Sequence, residues 1–78
     1  MADKNEIYAD GLSQIHVVGG TVRMDFMTLE PQKDNQPPVQ NVNNRVILPI
    51  QAFLAAYDTM QKLLNKLESD GIIKKKEN

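Results

Sequence analysis

The residues with the most chemical potential in this chain are Gln14, His16, Arg23 and Asp25, spaced two apart on either side of Gly19-Gly20. If the two glycines form the tip of a hairpin, Val18 faces Thr21 and the four polar residues share one face of the paired strands. Asp25 could then orient the His16 imidazole for proton transfer, while Arg23 holds a carboxylate or phosphate. A solvated sheet face with charges paired across strands needs fewer assumptions, and an open sheet face lacks the water-excluding pocket that catalysis uses. We therefore read Gln14, His16, Arg23 and Asp25 as a polar surface cluster and assign no catalytic residue. One histidine, no cysteine and scattered carboxylates are not a ligand set, so no metal or other cofactor is expected. Gly19-Gly20 lacks the longer glycine pattern and following helix of a phosphate loop.

The elements that would position this cluster can be read from the pattern. Leu12 to Val18 and Thr21 to Met27 read as two strands, rich in β-branched residues and bounded by turn signals. With the glycines at the tip, Val17 opposes Val22, Ile15 opposes Met24, and Ser13 opposes Phe26, which gives one apolar face. Leu12 and Met27 fall on the other face, beyond the polar cluster. Ile7-Tyr-Ala9 reads as extended, with Gly11 marking a bulge or bend. Pro31 to Asn44, rich in proline, asparagine and glutamine, reads as a long mobile loop. Arg45 to Leu48 is a short third strand, with Val46 and Leu48 toward the core and Arg45 and Ile47 away from it. Pro49 suits the first turn of a helix that runs to Ser69. Gly71 suits a left-handed cap, and Asp58 with Lys62 forms a favourable i,i+4 pair.

The fold class that results is α+β: an antiparallel meander of three strands, or four if Ile7-Tyr-Ala9 forms its own, followed by one long C-terminal amphipathic helix. Residues 1–6 read as a flexible terminus, 7–73 as a single domain with the loop at 31–44, and 74–78 as a charged tail.

Partners follow from the helix. Ile50, Phe53, Tyr57, Met60, Leu64 and Leu67 line one side, and Leu54 and Leu63 flank them. The apolar arc then spans about 180°, wider than the roughly 100° stripe of an ordinary surface helix. One small sheet cannot cover it. Without cysteine, a 78-residue chain has no disulfide to supplement a small core, and oligomerisation is the remaining route. We expect a homodimer, or a higher oligomer built from dimers, with Leu12, Met27, Leu29, Ile47, Leu54 and Leu63 as interface residues. The first and last strands each leave an unpaired edge.

Other partners are constrained by charge and hydropathy. Nine basic and ten acidic residues give a net charge of −1, with no field to attract nucleic acid or an anionic membrane. Lys74-Lys75-Lys76 is read as a solubilising end, with nucleic-acid association as the weaker alternative. The start, Met-Ala-Asp-Lys-Asn-Glu, carries no apolar signal core, and no stretch approaches a membrane span. A cytoplasmic protein is the expectation.

Tyr8-Ala9, the strand Arg23-Met-Asp-Phe26 and the junction Arg45-Val-Ile-Leu-Pro49 together resemble a family of short bacterial proteins of unknown function. The resemblance covers roughly residues 7 to 68 and rests on short motifs. That family usually has serine before the proline, where this chain has Leu48. It has no established activity to carry over. The function expected is therefore that of a small non-catalytic structural or interaction protein, not an enzyme. The alternative is a binder of extended polypeptide segments, for which exposed sheet edges and Met24, Met27 and Met60 would serve.

Overall fold

The Gly19-Gly20 tip sets the register of the sheet. In the computed structural model, which describes residues 5–74, β1 (Gly11–Val18) and β2 (Thr21–Glu30) flank this two-residue turn. Gly19 has φ 60° and Gly20 has no such conformation, the pattern of a type II′ turn. Only the first glycine therefore needs the freedom that its missing Cβ confers. The Thr21 hydroxyl donates to the Val18 carbonyl at 2.7 Å across the turn. From there Val18 faces Thr21, Val17 faces Val22, His16 faces Arg23, Ile15 faces Met24 and Gln14 faces Asp25.

Beyond Gln14 the structure departs from the expected register. Ser13 is bulged out, so Leu12 and not Ser13 lies opposite Phe26. An extra residue in one strand reverses the side on which everything before it points. Leu12 is thereby moved from the far face to the face under the helix. Gly11 does not interrupt the strand. It pairs with Met27, and a Cβ there would lie 2.9 Å from the Met27 terminal methyl. Gly11 is thus a place of close approach.

The third strand is longer than the sequence suggests. β3 runs Val39–Pro49 and pairs antiparallel with β2 along its length, giving the order β1-β2-β3. Residues 39–44 therefore belong to the sheet, and the connection shrinks to residues 31–38. A second irregularity at Asn43 puts Val42 opposite Met27, on the far face. Ile7-Tyr-Ala9 forms no strand, so the sheet has three strands among the described residues.

α1 (Ile50–Ser69) follows directly, with Pro49 at the N-cap and no side-chain cap. The Ile50 N–H instead donates to the Gly20 carbonyl at 3.2 Å, which ties the helix start to the hairpin tip. At the other end Gly71 has φ 77°. Its N–H bonds to Glu68 O at 3.1 Å and that of Ile72 to Leu67 O at 3.0 Å, the paired bonds of a Schellman cap. Lys62 and Asp58 pair at 3.3 Å, as their spacing predicts.

The core is thin. Among the described residues Val22, Met24 and Met27, all on the central strand β2, are the buried apolar ones, and no side chain is fully enclosed. α1 lies against β3 and β2 but buries no residue of its own. The radius of gyration is 16.0 Å, against about 11.5 Å for a compact domain of this length. Residues 1–4 and 75–78, including Lys75 and Lys76, lie outside the described residues.

Candidate functional site

The polar cluster is centred on Asp25. The register places Asp25 on β2 between Gln14 on β1 and Arg45 on β3, and His16 and Arg23 form the adjoining row. Asp25 is buried at 5% exposure. Arg45 grips it in a fork, Nε donating to Oδ1 at 2.6 Å and Nη2 to Oδ2 at 3.2 Å. His16 Nε2 stands 3.8 Å from Oδ2. The Arg45 hydrogen bond holds the Asp25 carboxyl below the usual carboxylate range. Burial pushes the other way, and the charges of Arg45, His16 and Arg23 add to the depression. Arg23 contributes charge, and its Nε is buried without a hydrogen-bond partner.

This arrangement brings together all four residues expected from the sequence and adds Arg45. The sequence placed Arg45 on the same face, but its partner became visible only with the β2–β3 register. A carboxylate held ionised, with both oxygens engaged, is a weak proton acceptor at neutral pH. The depression beside it, lined by Asp25, Val42, Asn43, Asn44 and Arg45, is shallow and open to solvent. Among the described residues no group of three or more His, Cys, Asp or Glu side chains is placed to hold a metal ion. The geometry is that of an ion pair that fixes two strands.

A second polar contact, not anticipated, closes the end of the sheet. β1 stops at Gly11 while β2 continues to Glu30, so the backbone of β2 runs past its neighbour. Asp10 fills the gap: its N–H donates to Met27 O at 2.9 Å and its Oδ2 accepts from the Leu29 N–H at 2.7 Å. The Tyr8 hydroxyl donates to Asp10 Oδ1 at 2.6 Å. This bond, then the one from Leu29, lowers the Asp10 pKa, and the same carboxylate raises that of Tyr8.

The more extensive feature is apolar. Between α1 and the sheet lies a groove of about 320 Å³, floored by Leu12, Ile15, Met24 and Phe26 and roofed by Phe53, Ala56, Tyr57 and Met60. It opens on the β1 side. Along the helix Ile50, Leu54, Tyr57, Met60, Leu63 and Leu64 are all exposed. Of the seam expected to pack on the sheet, only Phe53 and Leu67 are half-buried.

The expected interface residues divide accordingly. Leu54 and Leu63 are exposed on the helix, and Leu29 and Ile47 are exposed on the sheet. Leu12 lines the groove and does not stand on the far face, because of the Ser13 bulge. Met27 is buried within the chain, so it has little surface to offer a partner. No helix among the described residues is long and apolar enough to cross a membrane. Compared with protein-family models, with curated proteins and with solved structures, the chain matches none.

Proposed function

We propose that this chain is a non-catalytic interaction protein whose working form is an assembly of its own copies, a homodimer or a larger oligomer built from dimers. The observation that carries this reading is surface area. A compact 8.8 kDa protein exposes roughly 4,800 Å², and this chain exposes 6963 Å². Even if the eight residues outside the described range are assigned the surface of an unfolded chain, roughly 1,200 Å² remain in excess. Two copies that each covered this much would bury about 2,400 Å², within the range of obligate homodimers. The uncovered surface includes the apolar arc of α1 and the groove beneath it.

Thermal unfolding across a concentration series tests this. Copies that stabilise one another make the melting temperature rise with protein concentration. A melting temperature independent of concentration would overturn the proposal.

A second reading has one observation in its favour. The groove borders the open edge of β1, and an extended segment of another protein could add a strand there while its side chains fill the groove. Binding of a permanently unfolded client, followed by fluorescence anisotropy, separates the two readings. A cytoplasmic location and membership of the bacterial family that the Arg23-Met-Asp-Phe26 strand resembles belong to the same proposal.

A further inference from the structure

Resting on the reading of the chain as a self-assembling protein, we propose that the second copy joins at β1, strand to strand and antiparallel, so that two three-stranded sheets become one sheet of six strands.

The two edges of the sheet differ in a way that singles out β1. Exposed edges are ordinarily blunted by charge, proline or irregularity. β3 carries Arg45, Pro49 and the Asn43 irregularity, with Gln40, Asn41 and Asn44 along it. β1, Gly-Leu-Ser-Gln-Ile-His-Val-Val, has no lysine, arginine, carboxylate or proline. Its one irregularity, at Ser13, lies near the start and leaves Gln14 to Val18 in regular pairing with β2. A regular, β-branched edge whose one titratable side chain is His16 is open to pairing with a further strand.

Helix placement gives the same direction. α1 lies over β3 and β2, so the side chains of β1 on that face, Ile15 and Val17, are left exposed. A partner of the same sequence brings the same deficit. A two-fold axis perpendicular to the sheet at β1 places both helices on one face, one on either side of the joint, with the apolar side chains of both β1 strands between them. Ile15 and Val17 of each β1 then have the partner's β1 beside them, and the open side of each groove, with Tyr57 and Met60 in its roof, borders the joint. The excess of roughly 1,200 Å² per copy is of the size that each partner buries in a stable interface. The far face with its Asp25–Arg45 pair stays outside it.

Symmetry makes the test sharp. In an antiparallel pair, residues directly opposite share a face. About a two-fold axis, one residue of β1 must therefore face its own counterpart. Directly opposed Cα atoms lie about 4.5–5.5 Å apart, within disulfide reach. The chain has no cysteine of its own. Single cysteines at each of positions 14–18, and at Asn41 and Asn44 on β3 as controls, are oxidised and resolved by non-reducing electrophoresis. Each variant is first checked for parental mass by light scattering and for parental circular dichroism. The expected result is an efficient disulfide-linked dimer at one of positions 14–18, weak linkage at the others, and none from β3. In the unmodified protein, amide exchange gives an independent reading, because the β1 N–H groups that do not bond to β2 should be protected. A dimer with no efficient linkage along β1, or with linkage from β3, overturns the strand joint and leaves self-assembly standing. A monomeric parent overturns both.

Discussion

Leu63 separates an assembly surface from an ordinary patch of exposed apolar side chains. It is 56% exposed in the single chain, so it contributes little to the fold of one copy. Full burial of a leucine is worth about 1.5–3 kcal/mol, and covering the exposed part contributes about 0.8–1.7 kcal/mol per copy. Both copies lose it together, so Leu63→Ala should weaken a dimer by about 2–3 kcal/mol, roughly 30- to 150-fold in Kd. Leu63→Glu should do more, because a carboxylate left unpaired in a covered site is costly. Val42 is the control: it is similarly exposed, at 52%, but lies on the far face opposite Met27. Val42→Glu should leave Kd unchanged. Sedimentation equilibrium of the parent and the three variants reads all of these values. If Leu63→Glu associates like the parent, or Val42→Glu is the variant that dissociates, the placement of the interface on the helix side is wrong.

Further outcomes follow from the turn, the connection and the buried carboxylate. Gly19→Val should cost about 1–2 kcal/mol because, of the two turn glycines, Gly19 is the one with positive φ, whereas Gly20→Ala, with open space around its Cβ, should melt like the parent. Replacing Gln32 to Pro37 by a few glycine and serine residues should barely change the melting temperature, since loop closure depends weakly on length and the bonds lost, Gln32 to Pro37 and Gln36 to Lys33, both lie within that segment. A large drop would show that the connection is packed. Asp25 has a depressed pKa in the folded chain, so its stabilising effect is complete above the unfolded carboxyl value near 3.9 and disappears as pH falls through the folded value. Urea unfolding should therefore show a constant gap between parent and Asp25→Asn above about pH 5 that closes below about pH 4. A gap that persists into strong acid would mean that the Arg45 pair does not stabilise the fold.

Much of this architecture is written locally in the chain. Gly19-Gly20 fixed the pairing from Val18 back to Gln14, because a two-residue turn admits one register. Pro49 and Gly71 marked the ends of the helix through backbone chemistry that needs no tertiary partner. What escaped was what only a neighbouring strand decides. Ser13 carries no mark of a bulge, and one bulged residue was enough to carry Leu12 to the opposite face. Gln40, Asn41, Asn43 and Asn44 have poor strand propensity and read as loop, yet the pairing of Gln40 with Leu29, Asn41 with Thr28 and Asn44 with Phe26 overrides that preference. Val42 and Val46 share a face by simple alternation, and the Asn43 irregularity separates them. The polar cluster was legible in four of its members because the hairpin register places them. Arg45, which makes the contact that matters most to Asp25, depended on the second register.

Self-assembly is the central claim, and the mass of the native particle tests it most directly. Light scattering coupled to size-exclusion chromatography, run over a wide range of loading concentrations, reads that mass without reference to shape. This matters because an extended monomer with a radius of gyration of 16.0 Å would elute early. The expected mass is twice the 8.8 kDa chain, or an even multiple of it, falling only at high dilution. A folded particle of 8.8 kDa at every concentration would contradict the claim.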